Sequence, residues 1–369
     1  MSSTTLNPEI LKTKHHFEIL DGLRGVAAVA IVIFHFMEIA YSDFTKNFIA
    51  HGFLAVDFFF CLSGFVVAYA YDDRLEKMGV AEFFKSRIIR LHPLVILGAV
   101  LGLLAFLFDP FGGKAASYST GQILLNFLSA AFLLPFPAME ERFFNLFGLN
   151  APAWSLFWEY VANIIYALVL IRLGRKSVVV LFVLAAAALA YVAYNSGSLV
   201  GGWSGETFWH GGARIAYSFL AGLLIFRYKL ILKTGIGFLG LAALLSLAFL
   251  VPFTWGWPAQ LTIVSVYFPL LISLGAGATL SPGLKNICNF SGKISYPLYM
   301  IHYSVIWMFF NYYGLYKPGT GLLVGIIITG TLLLIGAAWL VMVFYDTPIR
   351  KWLSEKRKKQ VQVSSTYKG

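Results

Sequence analysis

The chain has 369 residues, of which 59% are hydrophobic and only 12% carry a charge. A soluble globular chain has about 25% charged residues, so this composition excludes that class and indicates a polytopic membrane protein. The net charge of +11 is explained by lysines and arginines that collect in cytoplasmic loops. It does not indicate a nucleic-acid partner.

Eleven apolar stretches follow one another along the chain, and charge decides which of them cross the bilayer. They lie near residues 20–41, 52–72, 92–108, 122–137, 153–171, 177–194, 209–226, 234–251, 258–280, 295–313 and 320–345. The fourth stretch is short and ends in two prolines. If it crossed, Glu140 and Glu141 would be cytoplasmic and the basic group that begins at Arg172 would be external, against the positive-inside tendency.

We therefore predict an all-α polytopic membrane protein with about ten transmembrane helices and both termini in the cytoplasm. Residues 1–350 form a single transmembrane domain, in which 109–152 is an external loop with a re-entrant or interfacial segment. Residues 351–369 form a basic cytoplasmic tail, which we expect to lie against anionic lipid. The predicted location is the cell inner (plasma) membrane.

The first apolar stretch carries two ionisable residues, Arg24 and His35. They are eleven residues apart, so both side chains share one helix face and lie ~16 Å apart along the axis. Arg24 either extends to the cytoplasmic interface or binds a phosphate or carboxylate. His35 is too deep to reach the interface. It is either a hydrogen-bonded core histidine or a proton-transfer group.

Three further charged residues lie within predicted spans, and each needs a partner because an isolated charge is unfavourable there. Asp57 can pair with His35 or Arg214. Arg214 can bind substrate, or it can form a structural ion pair with Glu159 or Asp57. Asp57 and Glu159 are also candidates for catalysis, as the carboxylate that holds the tautomer of His35.

Two more groups of residues complete the candidate site. Arg87 and Arg90 lie on one helical face at the cytoplasmic entrance to the third stretch. They either contribute positive-inside charge or bind an anionic cosubstrate, because guanidinium groups match phosphate geometry. Tyr299 and His302 are three residues apart, so they can line one cavity and are candidates for substrate binding.

The chain lacks the sequence motifs of several common enzyme classes. The chain has no GxxxxGK[ST] phosphate loop, no HExxH and no GxSxG, and no His/Cys cluster at metal spacing. We therefore expect neither ATP hydrolysis nor a metal cofactor. Buried arginines, histidines and carboxylates also suit a transporter or flippase of a glycan or small anion, but the two related halves typical of transporters are not detected. A structural subunit of envelope polysaccharide machinery is a third, weaker alternative.

Five sequence blocks, in order, resemble the acyltransferase 3 family of integral-membrane acyltransferases. LDGLRGVAAVAIVIFHF is similar to the family's first helix, with arginine, ten residues and histidine. The other four blocks are VDFFFCLSGF, FFKSRIIRLHPL, WSLFWE and ISYPLYMIHYSV. Arg24 and His35 occupy the positions of the first motif pair, and Arg87 and Arg90 those of the cytoplasmic pair. His92 stands where many members have tyrosine.

The resemblance implies transfer of an acyl group, commonly acetyl from acetyl-CoA, to a hydroxyl of an extracytoplasmic sugar or other acceptor. The expected partners are acyl-CoA, a glycan or small hydroxyl acceptor, the lipid bilayer and envelope polysaccharide machinery. His35, Asp57 and Glu159 are then the catalytic candidates. The cofactor-binding candidates are Arg24, Arg87 and Arg90, and the substrate-binding candidates are Arg214, Tyr299 and His302. Exopolysaccharide, lipopolysaccharide, peptidoglycan-linked sugars, lipid-linked oligosaccharides and small metabolites remain open as acceptors.

Overall fold

Helices make up the regular structure of the protein in a computed structural model that describes residues 17–112 and 114–366. Within these ranges there is no strand, and the only β-type pairings are isolated bridges between Asn145 and Ser204 and between Thr234 and Ala278. The prediction of an all-α protein is confirmed. The helices are α1 Glu18–Ala40, α2 Ala55–Tyr71, α3 Leu75–Met78, α4 Val80–Leu107, α5 Thr120–Phe132, α6 Ala153–Leu168, α7 Arg175–Ser196, α8 Phe208–Arg227, α9 Phe238–Phe249, α10 Gly256–Thr262, α11 Phe268–Gly277, α12 Lys285–Tyr316, α13 Thr320–Val341 and α14 Thr347–Thr366.

Seven helical segments of the described chain are long and apolar enough to cross a bilayer. They are Glu18–Ala40, Gly52–Tyr71, Val80–Leu107, Ala153–Arg172, Arg175–Ser196, Phe253–Gly277 and Thr320–Lys359. The ten predicted spans also include α8, α9 and α12. Helix α9 has only 12 residues, whereas α8 and α12 have 20 and 32 but contain polar residues such as Arg214 and His302. The count of ten and the orientation of the termini stay predictions.

The segment assigned to an external loop contains one short helix. Helix α5 has 13 residues, which gives a length of ~20 Å, less than the ~30 Å of a bilayer core. At the other end of the chain, a π-helical segment, Met342–Asp346, joins α13 to α14. Arg357 of α14 donates to Glu82 of α4 at 2.7 Å, so the start of the predicted tail packs on the helix bundle. Lys12, Lys14 and Lys368, in the termini that are predicted to be cytoplasmic, lie outside the described residues.

Two helix pairs form the framework of the molecule, and small residues bring each pair into close contact. Between α1 and α12, a Cβ added to Gly25 would collide with Ser291. Between α2 and α8, a Cβ added to Gly64 would collide with the backbone of Phe219, and one added to Gly222 with the backbone of Cys61. Close approach through small residues is typical of membrane helices. The first pair carries His35 and His302, and the second carries Asp57 and Arg214.

Candidate active site

A cluster of arginines lies at the end of the bundle where α1 and α4 begin. Arg90 is within electrostatic range of Arg24, Arg87 and Arg350, which come from three helices. Arg90 is exposed, and the side chain of Arg24 is 24% exposed and donates to Asp21 at 3.2 Å. Arg350 donates to Asp346 at 3.0 Å and is 44% exposed. This cluster joins the three predicted cofactor-binding arginines and adds Arg350.

Arg87 differs from the rest of the cluster because it is buried and paired. It donates to Glu159 Oε1 at 2.7 Å, and its side chain is only 4% exposed. Ser63 donates to the same carboxylate oxygen at 3.0 Å. The hydrogen-bond partners of the Glu159 carboxylate are therefore Arg87 and Ser63. No hydrogen bond joins it to His35. The predicted roles of Arg87 in cofactor binding and of Glu159 in catalysis stay predictions.

His35 lies at the opposite end of α1 from the arginine cluster, five residues before the helix ends at Ala40. Its Nδ1 is 2.5 Å from Glu38 Oε1, and the two side chains are 16% and 25% exposed. With a carboxylate partner, Nδ1 carries the proton and Nε2 keeps its lone pair, because an ionised carboxylate only accepts hydrogen bonds. His35 is thereby held in the tautomer that can take a proton at Nε2.

A second histidine stacks on the first. The rings of His35 and His302 have centroids 5.3 Å apart and are inclined by only 26°. His302 is fully buried and donates from Nδ1 to the carbonyl oxygen of Tyr299 at 2.8 Å, while its Nε2 has no partner. Tyr303 packs edge-on against His35 at 4.9 Å. The structure thus brings His302 next to His35, and the ring of Tyr299 lies 5.8 Å from that of His302. The predicted roles of Tyr299 and His302 in substrate binding stay predictions.

Polar side chains connect the two ends of the site. Tyr299 hydrogen-bonds Ser155 at 2.8 Å, and its ring packs edge-on against Phe59 at 5.8 Å. Ser155 and Glu159 lie on one face of α6, four residues apart. A chain of side-chain contacts therefore runs from Arg87 and Glu159 along α6 to Ser155 and Tyr299, and from Tyr299 through His302 to His35.

Asp57 and Arg214 form a separate, sealed pair. Arg214 Nε and Nη2 donate to both carboxylate oxygens of Asp57, the shortest contact being 2.6 Å. The remaining donors reach the carbonyl oxygens of Gly201 and Phe53. Both side chains are buried, and no hydrogen bond joins either of them to His35. Of the partners considered for Asp57, the structure has Arg214. The catalytic role of Asp57 and the substrate-binding role of Arg214 stay predictions.

Glu38 and Tyr303 both contact His35, and neither was predicted from the sequence as a site residue. Spacing could have found Glu38, because residues three apart are neighbours on a helix. Tyr303 was adjacent to a predicted site residue and gave no separate signal. No group of three or more histidine, cysteine, aspartate or glutamate residues suited to a metal ion occurs in the described part of the chain.

Comparison with known proteins gives a family match over most of the chain. The family model described as an acyltransferase domain matches residues 17–345. Protein 2 in the picA locus of Rhizobium radiobacter is 34% identical over 186 residues, which cover 48% of this chain and 94% of that protein. No solved structure matches.

Two further relatives have names that state a reaction. The O-acetyltransferase OatA of Staphylococcus aureus is 25% identical over 363 residues, covering 90% of this chain and 57% of OatA. The putative peptidoglycan O-acetyltransferase YrhL of Bacillus subtilis is 30% identical over 211 residues, covering 50% of this chain and 30% of YrhL. The matched regions are thus little more than half of OatA and less than a third of YrhL.

Proposed function

This chain belongs to the acyltransferase 3 family of membrane O-acyltransferases, and we propose that it moves an acyl group from acyl-CoA to a hydroxyl of an extracytoplasmic glycan. The acyl group is proposed to be acetyl, because the named relatives are O-acetyltransferases. One arrangement carries the proposal: His35, held by Glu38 and stacked on His302, lies on the same face of α1 as Arg24, a member of the arginine cluster.

The arginine cluster suits the phosphates of acyl-CoA. Guanidinium groups bind phosphate through paired, charge-assisted hydrogen bonds, and Arg24 and Arg90 are accessible enough to make them. Arg87 is buried against Glu159, so its part is to supply positive charge and to fix Glu159. The cofactor supplies the activated acyl group as a thioester, which would extend from the arginine cluster toward His35.

His35 is the proposed general base. Its Nε2 takes the proton of the acceptor hydroxyl as the oxygen attacks the thioester carbonyl. The carbon–sulfur bond then breaks, and the thiolate that leaves takes up that proton. A positioned base of this kind contributes typically ~10²–10⁴ in rate. Glu38 acts through His35 by holding the Nδ1 proton and by stabilising the imidazolium that forms.

The proposed orientation places the arginine cluster at the cytoplasmic face and the His35 end of α1 toward the outside. Lysines and arginines concentrate on the cytoplasmic side of membrane proteins, and acyl-CoA is a cytoplasmic cosubstrate. Residues 1–350 would then form the transmembrane domain with ten spans in the inner membrane, and the basic residues 351–369 would lie at its inner face. The acceptor would approach His35 from the outer side.

The proposal is tested with purified protein in detergent or vesicles, labelled acetyl-CoA and a panel of glycan acceptors. Wild-type protein should transfer label or release CoA, and His35→Ala should lower that rate by ~10²–10⁴ while it binds acetyl-CoA as wild type does. His210→Ala is the matched control, because His210 lies at the start of α8 and outside the proposed site.

Two outcomes would contradict the proposal. Wild-type turnover by a normally inserted His35→Ala protein would remove His35 from catalysis. Movement of an unmodified glycan or anion across vesicles by wild type, without transfer or CoA release, would favour the transporter alternative.

A further inference from the structure

The loop before α6 contains a second buried arginine, Arg142, that the proposed reaction does not use. Its side chain is only 4% exposed, and its Nη1 has no hydrogen-bond partner. Among the described residues no carboxylate lies within ion-pair distance of it. The guanidinium carbon instead lies 4.2 Å from the centre of the Trp307 ring and 5.7 Å from that of Phe106.

The charges of two acidic residues, Glu141 and Asp109, act on Arg142, but neither forms an ion pair with it. Glu141 accepts a hydrogen bond from Tyr118 at its Oε2 at 2.7 Å, while its Oε1 has no partner. Asp109 accepts a hydrogen bond from Asn311 at 2.6 Å. Burial lowers the pKa of Arg142 to about 10, and the charges of Glu141 and Asp109 oppose this shift. The guanidinium therefore remains charged at neutral pH. A buried charge without a paired partner is unfavourable, and aromatic faces compensate only in part.

The backbone around Arg142 is held in a strained conformation. Phe143 and Phe144 have φ angles of +56° and +49°, in the left-handed region that side chains other than glycine rarely adopt. Phe144 N donates to Met139 O at 3.0 Å, and the Phe143 ring packs edge-on against Phe310 at 5.6 Å. Strained residues persist where the surroundings fix them, and they concentrate at functional sites.

Arg142 lies close to the proposed base. Trp307, whose ring faces the guanidinium, packs edge-on against Tyr303 at 5.1 Å, and Tyr303 packs against His35 at 4.9 Å. Phe310, which contacts both Phe143 and Trp307, also lines a cavity of about 270 Å³. The guanidinium is thus separated from His35 by two aromatic side chains, at the end of the bundle away from the arginine cluster.

We propose that Arg142 binds an anionic group of the acceptor, a carboxylate or a phosphate, so that the enzyme prefers an acidic glycan. This inference rests on the proposed function, because it concerns the acceptor of that reaction. An anion at Arg142 would supply the missing counter-charge, and the planar guanidinium suits the paired oxygens of either group. The glycan hydroxyl to be acylated would then be presented toward His35.

The test measures binding of three labelled tetrasaccharides to the purified full-length protein: a neutral one, a matched one with a terminal uronate and a matched one with a terminal phosphate. We expect wild type to bind at least one acidic form about 10-fold or more tightly than the neutral form, as charge-assisted hydrogen bonds allow. Arg142→Gln should lose that preference without changing neutral binding, and Arg142→Lys should keep part of it. The comparison of uronate with phosphate identifies the anion.

Lys114→Gln is the matched control, since Lys114 is an exposed cation in the same segment and its loss should leave the preference intact. If Arg142→Gln does not fold, as judged by gel filtration in detergent, competition by free glucuronate and inorganic phosphate on wild type replaces it, and failure of both to displace the acidic tetrasaccharides would overturn the inference. Equal binding of acidic and neutral forms by wild type would overturn the inference, as would a preference that survives in Arg142→Gln.

Failure of the proposed function would look different. The acidic preference would then persist in the binding measurement, while labelled acetyl-CoA gave neither transfer nor CoA release with any of the three saccharides.

Discussion

The α2–α8 pair and the α1–α12 pair are built alike but hold their polar residues differently. Both pairs approach closely through small residues. The first encloses Asp57 and Arg214, whose charged groups satisfy each other within the core. The second encloses His35 and His302, each of which has an Nε2 left available by the hydrogen bond at its Nδ1. Saturated polar contacts support structure, whereas unfilled hydrogen-bonding capacity marks where a ligand or proton can go.

The largest effect is expected from breaking the sealed pair. Asp57→Asn removes the charge that compensates a guanidinium only 1% exposed, and leaving one buried charge unpaired costs about 3–5 kcal/mol. The free energy of unfolding, measured by denaturant titration in detergent, should fall by that amount. A double variant, Asp57→Asn with Arg214→Met, should recover much of it, because no unpaired charge then remains. A stable single variant with normal turnover would show that the pair is not needed for the fold.

The second largest effect is expected from a change at Glu38, the partner of His35. Glu38→Gln keeps the shape of the side chain but removes the carboxylate that holds His35 Nδ1. We expect kcat to fall about 10- to 100-fold, as for loss of a charge-assisted hydrogen bond, with KM for acetyl-CoA unchanged. Stability should remain close to wild type because Glu38 is partly exposed. A change in KM alone would contradict its role as a positioning residue, and Glu38→Asp should restore part of kcat.

The smallest effect is expected at the arginine cluster. Arg90→Gln removes one exposed guanidinium from a group of four, so affinity for acetyl-CoA should fall about tenfold, or ~1.4 kcal/mol. The loss should be smaller at high salt, which screens exposed charges. Lys77→Gln is the control, because Lys77 is exposed and lies between α2 and α4 but outside the cluster. Equal affinity of Arg90→Gln and Lys77→Gln would place the cofactor elsewhere.

The local parts of the site followed from sequence periodicity. A helix over 20–41 was predicted, and α1 spans Glu18–Ala40. Arg24 and His35 lie on one face of that helix because the turn angle is the same in any α-helix. The proximity of Tyr299 and His302 follows from the same rule. Each of these statements needs only residues of a single helix.

Contacts between helices could not be chosen from the sequence. Asp57 had His35 and Arg214 as candidates, and Arg214 also had Glu159. Arg214 lies 157 residues from Asp57, and Glu159 lies 72 from Arg87, so the packing of distant helices decides between partners of equal chemistry. Nothing in the sequence marks Arg142 as buried, because its burial depends on Phe106 and Trp307, which come from α4 and α12.

The sequence by itself determined that this is a membrane protein and which acyltransferase family it belongs to. The apolar stretches are long enough to lie in a bilayer, where the backbone hydrogen bonds must be made within helices. The family is indicated by five sequence blocks that lie in order along the chain. Only the tertiary structure decided which charges are paired and which are left open. Burial and partner choice depend on how helices that are far apart in the chain come together, and a side chain without a counter-charge is visible only after that packing exists.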